Sequence, residues 1–111
     1  MAVEDAAALA ACLKRITNKE MLSKAIDIFE SVRIPRVKFV HEASTLHDIT
    51  LHLPDGPEQR ARDAAMKKEV AGQHFHESPN QWSDPTMQGW VYTYCPEEHV
   101  WEVWKSFSGG K

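Results

Sequence analysis

The sequence predicts a small α+β domain: two N-terminal helices, then a ββαββ unit carrying a four-stranded sheet. Three observations predict it. A capping box opens an amphipathic stretch near the start, two mid-chain runs alternate apolar and polar residues, and an aromatic, valine-rich stretch closes the chain. At 111 residues the chain fits one domain, 1–111, made of a helical pair (1–34), the sheet unit (36–107) and a flexible tail (108–111).

The first helix is expected over residues 3–15. Alanine dominates there, Leu9, Leu13 and Ile16 recur at helical spacing, and Glu4 and Asp5 suit the positive end of the helix dipole. The second is expected over 18–33. "TNKE" (Thr17–Glu20) matches the S/T-x-x-E capping box, and Leu22, Ala25, Ile26, Phe29 and Val32 keep one face apolar. Pro35 then predicts its end. "RVKFVHE" and "HDITLHL" alternate in the manner of strands, with "EAST" short enough for an antiparallel turn. Pro57 suits the first position of a third helix over 57–71, whose Glu58/Arg62 and Asp63/Lys67 pairs stand four apart, and Gly72 suits its stop. Residues 73–88 show no period and are rich in turn formers.

The last segment, "GWVYTYCPEEHVWEVWKSF", reads in two ways. As a helix from Pro96 it puts Val100, Val103, Trp104 and Phe107 on one face and Glu97 and Glu98 in the first turn. As a hairpin, Trp90, Tyr92 and Tyr94 alternate with Val91 and Thr93, "CPEEH" turns, and a second strand follows. Aromatic and valine density selects the hairpin. Residues 90–101 resemble the strand–turn–strand unit of a kelch blade, with its tyrosine-rich strand, Pro-Glu turn and tryptophan, which supports the hairpin only, since no repeat is present. The last five elements are similar in order to the β-grasp, the ubiquitin-like fold. That likeness is one of topology and implies no function by itself.

Composition narrows the function classes. Hydrophobic residues make up 42% and charged residues 26%, an ordinary globular balance, and the net charge is −3. Nucleic-acid binding draws on Lys and Arg against phosphates, so an acidic chain without a basic run is not expected to bind nucleic acid. The two cysteines, Cys12 and Cys95, form no CxxC pair. With no signal-like start and no membrane-spanning run, a soluble protein of the cytoplasm with no membrane contact is expected.

"GQHFHESPNQW" (72–82) raises the question of chemistry. His74-x-His76 at strand spacing would point both imidazoles one way, as a zinc or other transition-metal site needs, with Glu77 or Asp84 available as a further ligand. The plainer reading is a surface loop anchored by Phe75. No serine elbow and no phosphate-binding Gly-rich loop is present. The large rings Trp82, Trp90, Tyr92, Trp101 and Trp104 cannot easily all lie inside one small core, and exposed aromatics mark interaction sites. Gly109-Gly110 near the C-terminus resembles the diglycine of ubiquitin-like modifiers.

The function expected from the residues is therefore non-catalytic. It is a protein-binding module, an adaptor or small subunit of an assembly, contacting its protein partner through the aromatic hairpin and the 73–88 loop, with no cofactor. Two alternatives stand beside it: a metal-binding protein or small metal enzyme using His74 and His76, and a modifier using Gly109-Gly110.

Overall fold

The computed structural model describes residues 1–109, and among them every regular element is a helix. Helix α1 spans Ala2–Leu13, α2 Leu22–Leu51, α3 Pro57–Ala65, α4 Lys67–Val70, α5 Pro85–Tyr92 and α6 Pro96–Gly109, and one 3₁₀ turn, Lys19–Met21, leads into α2. The α+β expectation is overturned: no strand occurs among the described residues, so the four-stranded sheet, the ββαββ unit and the β-grasp and kelch likenesses all fall. The chain divides into two compact units, Met1–Val40 with the segment from Cys95 onward, and His41–Tyr94.

The first unit is built on α1, the first part of α2, and α6. Its core gathers Ala8 and Cys12 of α1, Ala25, Ile28 and Val32 of α2, and Val100 and Trp104 of α6, with Ala11, Ile16, Met21, Phe29 and Val103 packed against it. The spacings of four in α1, of three and four in α2 and of four in α6 are those of single helix faces. Small residues on α1 bring that helix close, while Trp104 on α6 supplies bulk. The chain enters α2 at Asn18, whose side-chain oxygen accepts from Met21 N at 3.2 Å. Thr17, expected to cap, instead lies one residue outside.

Charge also ties α1 to α2. Arg33 and Arg36 of α2 are only 2% and 5% exposed. Arg33 Nε donates to Asp5 Oδ1 at 2.6 Å and its Nη1 to Glu4 Oε1 at 3.1 Å. Arg36 Nε donates to Glu4 Oε1 at 2.7 Å and Nη2 to Glu4 Oε2 at 3.2 Å. The α1 acids that suit its dipole are thus also the counter-ions of two buried cations. Pro35 sits between these arginines, yet α2 runs through it to Leu51. An interior proline forfeits one backbone hydrogen bond and costs about 3 kcal/mol. Ion pairs on both sides of it and Val32 in the core outweigh that loss.

The second unit holds the rest of α2 with α3, α4 and α5. The expected strand "RVKFVHE" and the first five residues of "HDITLHL" lie in α2, which ends at Leu51. Their alternation is real, but the less exposed positions Arg36, Val40, Ala43, His47 and Thr50 recur at three and four, the spacing of a helix. The helix expected over 57–71 is present but broken at Met66, which takes φ −92° and ψ 0°. Gly72, at φ 72°, ends α4 in a Schellman motif: Gln73 N donates to Lys68 O at 2.9 Å and Gly72 N to Glu69 O at 3.1 Å. Residues 85–92, read as loop and strand, form α5. The C-terminal stretch takes the helical alternative, with His99 N donating to Cys95 O at 3.2 Å at its start. No residue of His41–Tyr94 is fully buried. Gly110 lies outside the described residues. No helix among the described residues is long and apolar enough to cross a membrane.

Glu4→Ala would remove the carboxylate that Arg36 bonds through two nitrogens and one of the two that Arg33 bonds. We expect a loss of about 3–5 kcal/mol in urea unfolding, and a wild-type midpoint would reject it. The hydrogen bond from Arg36 chiefly holds the Glu4 carboxyl below its ordinary value of 4.5, against the opposing effect of burial and with further help from Arg33. A carboxyl depressed in the folded state stabilises fully above its unfolded value. That contribution should therefore fade as pH falls below about 4.5 through the folded value, and Glu4→Gln should flatten this part of the pH–stability curve.

Candidate functional site

In the first unit, α1 and α6 leave an open groove of about 680 Å³ lined by Ala7, Ala10, Ala11, Lys14, Arg15, Glu97 and Trp104. Alanines every turn on α1 make one wall shallow and apolar. The Arg15 guanidinium lies 4.2 Å from the centre of the Trp101 ring, and Lys105 Nζ lies 5.4 Å from it. Arg15 Nε is buried without a hydrogen-bond partner. Lys24 Nζ stands 5.1 Å from the Trp104 ring. Cys12 lies in the core behind this wall, and burial pushes its thiol up, against a smaller lowering by Arg15, so it is a packing residue rather than a nucleophile.

The aromatic residues do not form the expected face. Trp104 is a core residue, 8% exposed, and Trp101 is half-exposed beneath Arg15. Trp82, Trp90 and Tyr92 belong to the second unit, at 67%, 41% and 71% exposure. No hairpin links the two sets, because residues 96–107 are helical. Sequence reasoning missed Arg33 and Arg36 as buried groups, and Arg15 as a lining residue. Arg15 stands beside Lys14 in the sequence, and only its contact with the distant Trp101 distinguishes it.

The 73–84 segment is a hydrogen-bonded loop. Asp84 Oδ1 accepts from Ser78 N at 2.8 Å, and its Oδ2 accepts from Met87 N at 2.9 Å, capping α5. Ser78 Oγ donates to Glu69 Oε2 at 2.7 Å and accepts from Asn80 N at 3.1 Å. Asn80 Oδ1 accepts from Trp82 N at 3.2 Å, and Gln88 Nε2 donates to Trp82 O at 2.7 Å. The loop presents Trp82 edge-on to His47, with centroids 6.1 Å apart. His74 and His76 are exposed and meet each other edge to face at 4.7 Å. Among the described residues no group of three or more His, Cys, Asp or Glu side chains could hold a metal. Glu77 and Asp84 do not complete the pair.

Comparison with known proteins gives a different direction. The chain is 33% identical over 93 residues to an FAD-dependent monooxygenase of Beauveria bassiana, covering 84% of this chain and 21% of that protein. It is 32% identical over 91 residues to a 3-amino-4-hydroxybenzoate 2-monooxygenase of Streptomyces cremeus, covering 82% of this chain and 19% of that protein. A 3-amino-4-hydroxybenzoate 2-monooxygenase of Streptomyces platensis is 48% identical over 42 residues, 38% of this chain and 11% of its own. The chain thus spans about a fifth or less of the curated relatives it matches. No family model matches it, and no solved structure matches it.

These relatives overturn two expectations. A non-catalytic adaptor or complex subunit is not what the similarity supports; it points to flavin-dependent catalysis. The expectation of no cofactor, or of zinc or another transition metal on His74 and His76, is overturned by relatives that are named as FAD-dependent. The modifier reading of Gly109-Gly110 falls with the ubiquitin-like fold.

The described residues do not, by themselves, fit FAD. A dinucleotide's phosphates need backbone N–H groups approached closely at glycines, usually between a strand and a helix. A Cβ on Gly56 would meet only Pro54 O at 3.9 Å, and Gly72 and Gly89 face open space within 4 Å. No glycine among these is kept bare by a neighbour.

Asp84→Ala should free Ser78 N and Met87 N together. We expect faster hydrogen exchange at both amides and a loss of about 1 kcal/mol in local stability. Unchanged exchange at Ser78 would show that Asp84 does not hold the loop.

Proposed function

We propose that this chain forms a helical part of an FAD-dependent monooxygenase acting on an aromatic ring. The observation that carries the reading is the match over 84% of the chain to the Beauveria bassiana FAD-dependent monooxygenase. The aromatic substrate class is supported by the Streptomyces relatives, whose names specify 3-amino-4-hydroxybenzoate. The flavin would supply the oxygen chemistry, and the polypeptide would supply binding, orientation and exclusion of water. This chain would supply part of that enzyme's helical framework. The second unit favours such a role. It exposes Leu46, Ile49, Trp82 and Tyr92, and none of its residues is fully buried. The unpaired thiols of Cys12 and Cys95 support a cytoplasmic setting.

A graft tests this. The 111 residues would replace the matching 93-residue stretch of the Beauveria bassiana protein, with the matching stretch of the Streptomyces cremeus relative grafted as a control of similar divergence. We expect both chimeras to bind FAD at about one per chain and to hydroxylate. A folded chimera of this chain that lacks FAD and activity, beside a working control, would reject the function.

A further inference from the structure

Resting on that reading, we infer that the diphosphate of FAD is held outside this chain: none of the described residues forms its cradle. Three sets of groups could hold a diphosphate, and none of them assembles the cradle one needs. The first is the helix N-termini. α1 carries Glu4 and Asp5 in its first turn, α3 carries Glu58, and α6 carries Glu97 and Glu98. α5 is capped by Asp84, whose carboxylate takes Met87 N. A phosphate approaching α1, α3 or α6 would meet a carboxylate in the first turn, and at α5 an N–H that is already taken. α2 is entered through the 3₁₀ turn, which carries Glu20 and whose Met21 N is taken by Asn18.

The second set is the cations. Arg33 and Arg36 are spent on Glu4 and Asp5. Arg62 is spent on Asp63 and on the Thr50 carbonyl, and Lys105 on Glu102. Arg15 lies over Trp101, and Arg60 stands exposed on α3, whose first turn carries Glu58. Among the groove's basic residues this leaves Lys14, and Glu97 lines the same groove. Bidentate recognition of a phosphate needs a guanidinium fork that is free to turn to it. The third set is the glycines, and they provide no close backbone approach, as described above.

The full 111-residue chain would be titrated with FAD, ADP and riboflavin, following tryptophan emission and flavin anisotropy, with helicity checked by circular dichroism. We expect no saturable ADP binding, and no FAD binding that ADP displaces, up to roughly 100 μM. Riboflavin binding without ADP binding would agree with the inference, since riboflavin carries no phosphate. Saturable one-to-one FAD binding displaced by ADP would overturn it.

A second arm uses the grafted chimera. Lys14→Ala and Lys67→Ala/Lys68→Ala should leave FAD content unchanged. A fall of about tenfold in FAD affinity in either would place a phosphate contact on this chain and overturn the inference. The two ideas fail separately. A folded graft without FAD rejects the proposed function and leaves the titration negative, whereas ADP-displaceable FAD binding by the chain rejects the inference and leaves that function standing.

Discussion

Two arginines on α2, almost wholly removed from water, set the terms for the first unit. A buried guanidinium without a counter-charge is worth several kcal/mol of destabilisation. Glu4 and Asp5, adjacent on the first turns of α1, answer both arginines at once. That contact fixes where α1 starts along α2. From there Ala8 and Cys12, one and two turns on from Glu4, fall on the face that meets Ile28 and Val32, and α6 closes the core with Val100 and Trp104. The same clamp explains why Pro35 does not end the helix. With Arg33 held on one side of the proline and Arg36 on the other, breaking α2 there would pull both away from their acids.

What could be read from the residues follows the range of the signals. The alanine run of α1, the polar entry to α2 near Asn18, Pro57 at the start of α3 and Gly72 after α4 are local devices, and each acts within a turn of itself. The stretch 36–53 defeated the reading because the same residues satisfy two periods. Val37, Phe39 and His41 alternate, while Arg36, Val40, Ala43, His47 and Thr50 trace a helix. Three of those five are polar, so a hydrophobic pattern cannot see them. At the C-terminus the aromatic and valine content suggested a strand, but the Pro-Glu-Glu opening and the pairing of Val100 with Trp104 proved the better guide. β-propensity measures fit to a surface, and here the surface is helical.

The candidate site was less legible for a related reason. Trp101 and Trp104 are neighbours on α6, yet one lies under Arg15 and the other in the core. Only contacts with a distant helix separate them. The flavin connection left no mark that composition or spacing could detect, because the residues that would betray a dinucleotide, a bare glycine turn and a free helix end, are not among those described. It came from similarity to longer proteins alone.

The second unit brings these strands of argument together. Its loop is tightly hydrogen-bonded through Asp84, Ser78 and Asn80, so its order is not in question. Its lack of a fully buried residue means that little apolar area offsets the conformational entropy of folding. A segment so built holds its shape locally and gains its stability from what covers it. Under the proposed function, the rest of the enzyme would cover it. Burial there would stabilise His41–Tyr94, and opening of this unit would loosen the contact in return, because the linkage is reciprocal. The first unit, with its own core and its buried ion pairs, is the part that does not need that help.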